Sequence, residues 1–250
     1  MVTAKQLIAS AKSLTMIVLS DIEHALYWCY YNTKRSEPTF EATRKANKRW
    51  TNCMGGVSFA CKAAGIPTSA LQWYGGAAKI RWLNDHAEKD AKKVFDIFKI
   101  KTRTVSECLK QGIIQPADIV TYMNLVHTNM YLGSDRWYDT GHAYCNGNGE
   151  GARYRTWIGD LKYGGRKVYA LFRLKGDHVY RVQVGAFEKE SGAKNRAAKV
   201  KKKSGFQCFV EKTDMYRVYC GSFEGFRNAI KRIDDLAEKG VSKAFIVQKE

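Results

Sequence analysis

The chain has 250 residues, 45% of them apolar, which is enough for one large domain or for a medium and a small one. Lys and Arg outnumber Asp and Glu by 42 to 24, and the net charge of +18 favours a polyanionic partner such as nucleic acid, anionic lipid or the bacterial envelope. The seven cysteines have neither CxxC pairs nor metal-ligand spacing, which argues against a disulfide framework or a zinc site and predicts a reducing compartment.

The first 175 residues begin with helical patterns and continue with strands. Apolar residues at helical spacing predict five helices: Lys5 to Leu19, Asp21 to Tyr31, Thr39 to Arg49, Asn52 to Ala64 and Ile80 to Phe98. Alternating patterns then predict five strands: Ile119 to Met123, Val126 to Leu132, Trp137 to Thr140, Arg153 to Ile158 and Lys167 to Arg173. Helices followed by antiparallel strands indicate an α+β domain, which ends at a short joint from Lys175 to His178.

The helix from Asn52 to Ala64 carries a candidate nucleophile. Asn52 is a good N-cap, and Gly65 is suited to end the helix. Cys53 then lies in the first turn, where unpaired N–H groups and the helix dipole stabilise a thiolate. Cys61 falls on the apolar stripe of the same helix and is predicted to belong to the core.

A cysteine nucleophile needs an imidazole beside it, and His127 is the best placed of the five histidines. It begins the predicted strand from Val126 to Leu132, directly after another strand, so its side chain is rigidly aimed. The sequence therefore predicts His127 as the general base for Cys53.

These segments resemble the NlpC-type cysteine peptidases, which are papain-like cell-wall hydrolases. The resemblance rests on a cysteine that opens a helix, on Pro-Ala-Asp-Ile-Val-Thr-Tyr at residues 116–122, and on His-Thr-Asn-Met-Tyr-Leu-Gly at residues 127–133. It covers roughly residues 40 to 145 and implies a papain-like catalytic domain over residues 1–175, with helices packed on an antiparallel sheet. The chain has Asn52-Cys53-Met54-Gly55 where the family has Asp-Cys-Ser-Gly, and it has Thr128 and Asn129 where small apolar residues are usual.

The resemblance also implies a third catalytic residue about a dozen positions after the histidine, which corresponds to Asp139. If residues 133–136 form an even-numbered turn, His127 pairs across from His142, and Asp139 points to the opposite face. A one-residue bulge brings Asp139 back to the side of His127. Asp139 is preferred because a carboxylate accepts the imidazole N–H, and His142 is the alternative. Asp118 is expected to be structural.

The carboxy-terminal part contains an internal repeat. Residues 179–187 (Val-Tyr-Arg-Val-Gln-Val-Gly-Ala-Phe) recur as residues 215–223 (Met-Tyr-Arg-Val-Tyr-Cys-Gly-Ser-Phe), with five of nine positions identical at an offset of 36. Each copy precedes a charged helix and a second strand, so residues 176–250 are predicted to form a ferredoxin-like βαββαβ domain. The period of two places Val182, Val184, Val218 and Cys220 under the helices, whereas Arg181, Gln183, Arg217 and Tyr219 lie on the open face.

This repeat resembles the SPOR domain, a peptidoglycan-binding module whose exposed sheet face contacts glycan strands stripped of stem peptides. The resemblance implies that Arg181, Gln183, Arg217 and Tyr219 bind glycan. It is specific in the first repeat and looser in the second, where Tyr219 takes the place of Gln183. A solvated polar face without a ligand is the alternative for a ferredoxin-like sheet.

Together the two resemblances imply a peptidoglycan hydrolase, similar to phage endolysins, that cuts an amide of the stem peptide without a metal or cofactor. The bond is either γ-D-glutamyl to diamino acid or N-acetylmuramoyl to L-alanine. The Cys53 N–H is a candidate oxyanion donor, and a tyrosine among Tyr27, Tyr30 and Tyr31 is a candidate for another. Since the first twenty residues lack a signal pattern and no stretch is long enough to span a bilayer, the enzyme is expected in the host cytoplasm until lysis.

Two other classes are compatible with the composition. A wall-binding protein would keep the carboxy-terminal module and have an inert Cys53. A nucleic-acid-binding protein would account for the charge, but stacking aromatics would then be expected where Arg181 and Gln183 stand, so no nucleic-acid partner is predicted.

Overall fold

The computed structural model describes residues 2–13, 57, 60–61, 63–66, 91–123, 127–140, 156–160 and 163–249. Its residues cluster into two compact units. The first comprises Met1–Val105 and Gln115–Lys175, and the second comprises Ser106–Ile114 and Gly176–Glu250. The division after Lys175 falls at the predicted joint, but the sequence did not predict that Ser106–Ile114 belongs to the second unit.

The first unit is built on an antiparallel sheet of six strands in the order β1-β6-β2-β3-β4-β5. Its strands are β1 (Phe95–Lys99), β2 (Ile119–Tyr122), β3 (Thr128–Gly133), β4 (Arg136–Thr140), β5 (Thr156–Gly159) and β6 (Val168–Leu174). The helix α1 (Ala4–Ser13) belongs to this unit, whereas α2 (Val105–Lys110) lies, apart from Val105, in the segment Ser106–Ile114 of the second unit. Helices and an antiparallel sheet agree with the predicted α+β class.

Helical residues cover one face of this sheet. Leu7 and Ala11 of α1 and the helical residues Val57, Ala60 and Cys61 share a buried cluster with side chains of the sheet. The members contributed by the strands are Phe95, Ile119, Met130, Leu132, Tyr138, Ala170, Phe172 and Leu174. Full burial of a large apolar side chain stabilises the fold by about 1.5–3 kcal/mol, so this cluster holds the helices against the sheet.

The helix that contains Cys61 ends as predicted. Gly65 has φ 87°, and the N–H of Ile66 donates to the carbonyl of Cys61 at 2.9 Å. This 6→1 bond with a left-handed glycine is the Schellman arrangement. Cys61 is buried in the core, as predicted.

The prediction of a helix up to Phe98 was wrong at its carboxy-terminal end. Residues 91–94 are helical, but Phe95–Lys99 form β1, which pairs antiparallel with β6 from Phe95↔Leu174 to Lys99↔Ala170. Phe95 packs edge-on against Phe172, with ring centroids 6.4 Å apart. Long-range pairing and burial therefore outweigh the local helical pattern.

The second unit has the predicted βαββαβ order. It contains β7 (Val179–Phe187), α3 (Glu190–Ser204), β8 (Phe209–Lys212), β9 (Tyr216–Phe223), α4 (Phe226–Glu238) and β10 (Phe245–Lys249). The strands form an antiparallel sheet in the order β10-β7-β9-β8. The side chains predicted to lie under the helices, Val182, Val184, Val218 and Cys220, are all buried.

The segment Ser106–Ile114 lies against the outer edge of this second sheet. The N–H of Ile246 in β10 donates to the carbonyl of Gln111 at 2.8 Å. Gly112 has φ 61°, and a Cβ there would overlap the carbonyl oxygen of Ile246. Only glycine therefore fits where the segment approaches β10.

Candidate active site and sheet face

A bulged hairpin positions the candidate base and its carboxylate. β3 and β4 are joined by a two-residue turn, Ser134 and Asp135, both with positive φ (49° and 57°), as in a type I′ turn. The pairing Gly133↔Arg136 shifts to Tyr131↔Trp137 on the other side of Leu132. One extra residue in β3 therefore changes the register.

This bulge decides which side of the hairpin Asp139 occupies. Beyond it Met130 pairs with Tyr138, so continuation of the register places Asp139 across from Asn129 and on the side of His127. The sequence predicts that Asp139 and His127 lie on the same side of the hairpin if it contains such a bulge. His142 lies outside the described residues.

His127 and Asp139 form an ion-pair contact. The imidazole Nε2 lies 2.9 Å from Oδ1 of Asp139, and the two side chains are 14% and 5% exposed. His127 lies one residue before β3 rather than inside a strand, and its carbonyl accepts a bond from the N–H of Tyr122 at 3.3 Å. The strand ladder thus anchors the histidine backbone while the carboxylate orients the ring.

Two tyrosine rings flank the imidazole of His127. The ring of Tyr122 stacks at a centroid distance of 5.8 Å and an interplanar angle of 28°, and that of Tyr163 lies at 4.8 Å and 51°. The guanidinium of Arg166 lies 5.2 Å from the centroid of Tyr163. Tyr163 was not predicted from the sequence, because the residue is in the loop before β6, where no periodic pattern marks it.

Thr128 and Asn129, two of the departures from the NlpC-type pattern that the sequence resembles, bond to neighbouring β2. Thr128 Oγ1 donates to the carbonyl of Val120 at 2.8 Å, and the hydroxyl of Tyr122 donates to Asn129 Oδ1 at 2.8 Å. Burial raises the pKa of Tyr122 well above its ordinary value, so this hydroxyl stays protonated and donates. Both departures serve the packing of the hairpin on β2.

Asp118 has the structural role expected of it. It precedes β2 and accepts two bonds from Arg173, Nε to Oδ1 at 2.9 Å and Nη2 to Oδ2 at 2.6 Å. The backbone N–H of Gln115 donates to the same carboxylate at 2.8 Å. This bidentate pair is buried and joins β6 to the start of β2.

The predicted nucleophile Cys53 lies outside the described residues, as do the candidate oxyanion tyrosines Tyr27, Tyr30 and Tyr31. Cys61, on the same predicted helix, is not a competing nucleophile, because burial raises the pKa of its thiol far above the ordinary value. Within the described ranges, no group of three or more His, Cys, Asp or Glu side chains could hold a metal ion. No helix in those ranges has the length and hydropathy needed to cross a membrane.

The four predicted glycan-binding residues share one face of the second sheet, but two are not open to solvent. Gln183 and Tyr219, which are paired across β7 and β9, are only 4% and 5% exposed. Phe209 of β8 pairs with Tyr219 from the other side, with ring centroids 5.4 Å apart. Phe245 of β10 pairs with Gln183, so neighbours on both sides cover these two side chains.

Charged residues continue this face next to the aromatic pair. Arg181 lies over both rings, 5.5 Å from Phe209 and 5.0 Å from Tyr219, and pairs with Glu211 at 2.6 Å. Arg217 is bound to Asp214 at 2.7 Å. Phe209 was not predicted as part of this face; it is 39% exposed and is the one large hydrophobic side chain exposed within the described ranges.

The side-chain amide of Gln183, at the centre of this face, has a hydrogen-bond acceptor that is not satisfied within the described residues. Its Oε1 is buried and has no hydrogen-bond partner in the described part of the chain. A buried amide oxygen without a partner costs about 1–3 kcal/mol, which a hydroxyl donor from a ligand would offset. We call Arg181, Gln183, Phe209 and Tyr219 the aromatic-arginine patch.

The fold of the second unit defines a ferredoxin-like module with helices on one face and this patch on the other. The family model of the SPOR domain matches residues 151–212 and 178–248 of this chain. The chain therefore contains a SPOR domain, and both matches include residues 178–212, the first βαβ unit. Neither reaches Cys53, His127 or Asp139.

One solved structure similar to this chain is the solution structure of the peptidoglycan binding domain of the B. subtilis cell wall lytic enzyme CwlC. It is 27% identical, the match covers 30% of this chain and 95% of that chain, and the TM-score is 0.28. The search of curated proteins found no match to this chain.

Proposed function

We propose that this protein is a peptidoglycan hydrolase, in which Cys53, His127 and Asp139 cleave an amide bond of the stem peptide. The observation that carries the proposal is the contact of His127 Nε2 with Asp139 Oδ1, 2.9 Å long, between mostly buried side chains. In a nucleophilic triad the general base is a histidine held by a carboxylate in this way. The attached SPOR domain supports the cell wall as the substrate.

The proposed mechanism is acyl transfer. With Nε2 of His127 facing Oδ1 of Asp139 at 2.9 Å, Nδ1 is the atom that takes the proton of the Cys53 thiol. The thiolate attacks the amide carbonyl carbon, and the tetrahedral intermediate collapses as Nδ1 returns the proton to the departing amine. Water then hydrolyses the thioester. Asp139 stabilises the imidazolium in each step and keeps the ring oriented.

The aromatic-arginine patch is proposed to hold the glycan. The exposed ring of Phe209 would contact the apolar face of a sugar, and a sugar hydroxyl that reaches Gln183 would satisfy its Oε1, which has no partner in the described part of the chain. Binding to the insoluble wall raises the local concentration of the catalytic domain on its substrate. Release to the wall at host lysis, as in endolysins, is part of the same proposal.

The test is digestion of purified peptidoglycan by Cys53→Ala and Cys53→Ser, followed by mass spectrometry of the fragments. Both variants are expected to be inactive and to bind sacculi like the native protein, and the native fragments will identify the amide that is cut. Cys61→Ala is the matched control, because its buried thiol contributes to the core and not to the chemistry. Native activity in folded Cys53→Ala would end the hydrolase proposal.

The SPOR match equally favours a second candidate, a non-catalytic wall-binding protein. In that case the His127–Asp139 pair only stabilises the hairpin, and Cys53 is an ordinary thiol. The rate of alkylation at neutral pH separates the two, since an activated thiolate reacts far faster than an ordinary thiol. Fast labelling of Cys53 that is slowed by His127→Ala supports the hydrolase.

A further inference from the structure

Two cysteines face each other across the edge of the second sheet. Phe209 pairs with Tyr219, so the same register, continued by one residue, sets Cys208 opposite Cys220. Residues directly opposite in antiparallel strands have Cα atoms about 4.5–5.5 Å apart, within the span of about 4.4–6.8 Å that a disulfide requires. Both are present as thiols, Cys220 buried and Cys208 partly exposed.

Each thiol has a backbone carbonyl as its acceptor: Cys208 Sγ donates to the carbonyl of Phe206 at 3.9 Å, and Cys220 Sγ donates to that of Gln207 at 3.7 Å. The interaction with the Cys208 thiol lowers the pKa of Cys220 to about 7, with a further contribution from Arg232. The same interaction raises the pKa of Cys208. The guanidinium of Arg232 is held in place by a 3.0 Å bond to the Cys220 carbonyl and by the ring of Phe206, 3.9 Å away.

The environment of this pair differs from that of Cys61. Cys61 is buried in an apolar cluster of the first unit, and burial raises the pKa of its thiol. Burial suppresses the thiolate of Cys61, whereas the guanidinium of Arg232 lies beside the Cys208–Cys220 pair and favours a thiolate there. Of these two sites, the Cys208–Cys220 pair is therefore the reactive one.

We propose that Cys208 and Cys220 are a redox site, which reacts with a small-molecule disulfide to form a cross-strand disulfide between β8 and β9. In the first step the thiolate of Cys220 takes the proton of the partly exposed Cys208, and the resulting Cys208 thiolate attacks one sulfur of the small disulfide and expels one thiolate. Cys220 then attacks the sulfur of Cys208 and expels the second. The two protons of the cysteines end on two small thiols, so one disulfide is reduced as the protein disulfide forms.

The cross-link fastens the strand that carries part of the aromatic-arginine patch. β8 is a four-residue edge strand, bonded only to β9 within the sheet. Phe209 follows Cys208, and Tyr219 precedes Cys220, so a disulfide holds this ring pair in its observed register. The inference depends on the second unit alone and stands whether or not the first unit is a hydrolase.

The experiment uses the full chain, with oxidised glutathione as the probe. After equilibration at neutral pH and alkylation of remaining thiols, tryptic peptides are mapped without reduction. Cys208 and Cys220 fall in separate tryptic peptides, residues 204–212 and 218–227. A disulfide linking these two peptides, reversed by reduced glutathione, is the expected result. Glutathione attached to Cys208 without the link, or no reaction at either residue, would overturn the proposal.

Two serine variants test the order of the steps. Cys220→Ser is expected to stop at a stable mixed disulfide of Cys208 with glutathione, and Cys208→Ser to prevent the reaction at the buried Cys220. If Cys220→Ser fails to fold, Cys208→Ser remains informative, since Cys208 is partly exposed. Oxidised native protein should unfold about 5 °C or more above Cys208→Ser treated in the same way, because the cross-link restricts the unfolded chain. Equal melting temperatures, despite a mapped disulfide, would contradict the proposed fastening of β8.

Discussion

The imidazole of His127 is held by contacts on three sides: the carboxylate of Asp139, the ring of Tyr122 and the ring of Tyr163. Each contact restricts rotation of the ring, and only Asp139 also interacts with its charge. Replacement of one contact at a time therefore separates orientation from electrostatics.

Asp139→Asn tests the carboxylate. The amide fills the same space but does not stabilise the imidazolium, so we expect kcat on soluble muropeptides to fall by about 100-fold or more, with little change in KM. Asp135→Asn, in the exposed turn of the same hairpin, is the control and should leave kcat unchanged. An unchanged kcat in Asp139→Asn would remove Asp139 from the mechanism.

Tyr163 tests orientation. Tyr163→Ala removes the ring that packs on the imidazole, and an aromatic contact of this kind is worth about 0.5–1.5 kcal/mol, so kcat should fall by up to about tenfold. Tyr163→Phe keeps the ring and should retain nearly full activity. If both variants lose the same activity, the hydroxyl is what acts, and the positioning role is wrong.

At the scale of elements, the sequence predicted the second unit more closely than the first. The repeat predicted all four strands and both helices of the βαββαβ order. Apolar and polar residues alternate in the strands, and each helix directly follows a strand in the sequence. β1 was assigned to a helix, because its burial depends on β6, more than sixty residues further along the chain. Local pattern carries no information about such a partner.

The segment Ser106–Ile114 is the other element that only the fold revealed. Its tight approach to β10 predicts that Gly112→Ala destabilises the second unit by about 2 kcal/mol or more, through both the positive φ and the contact with the Ile246 carbonyl. Chemical denaturation of the full chain, followed by hydrogen exchange of the β10 amides, measures the effect.

Gly205→Ala is the control for Gly112→Ala. Gly205 has a similar φ of 80°, but among the described residues no atom other than those of Gly205 and its chain neighbours lies within 4 Å of the place that a Cβ would occupy. Only the cost of the left-handed conformation, about 1–2 kcal/mol, is therefore expected. Equal losses in the two variants would show that the segment does not press on β10.

At the scale of the whole molecule, the proposal assigns catalysis to one unit and attachment to the other. Gln183→Ala and Phe209→Ala in the full chain should therefore cleave soluble muropeptides like the native protein but clear intact sacculi several-fold more slowly. Sedimentation with sacculi measures the binding directly. Lys202→Ala, exposed on α3, is the control with unaltered binding.

The salt dependence of binding distinguishes glycan recognition from electrostatic attraction to a polyanion. The net charge of +18 predicts some loss of binding as salt is added, but contacts of Phe209 and Gln183 with sugars should persist above the salt concentration that screens charges. Binding that disappears entirely, or that single-stranded nucleic acid abolishes by competition, would instead point to a polyanion as the ligand of the patch.

The sequence by itself determined the α+β class, the repeat, the buried rows of the second sheet, the glycine that ends the helix of Cys61 and the pairing of His127 with Asp139 as one of two alternatives. These features follow from short-range periodicity and from motifs whose residues are close together in the sequence. The catalytic roles of Cys53, His127 and Asp139 stay predictions.

The tertiary structure alone decided what depends on register and on distant partners. One extra residue at Leu132 placed Asp139 beside His127, since a shift of one residue reverses the face of every side chain beyond it. Three other features also depend on partners that are distant in sequence. These are the contact of the Tyr163 ring with His127, the burial of Gln183 and the pairing of Cys208 with Cys220. Each brings together residues that the sequence separates, and the free energy of packing, rather than local preference, selects the arrangement.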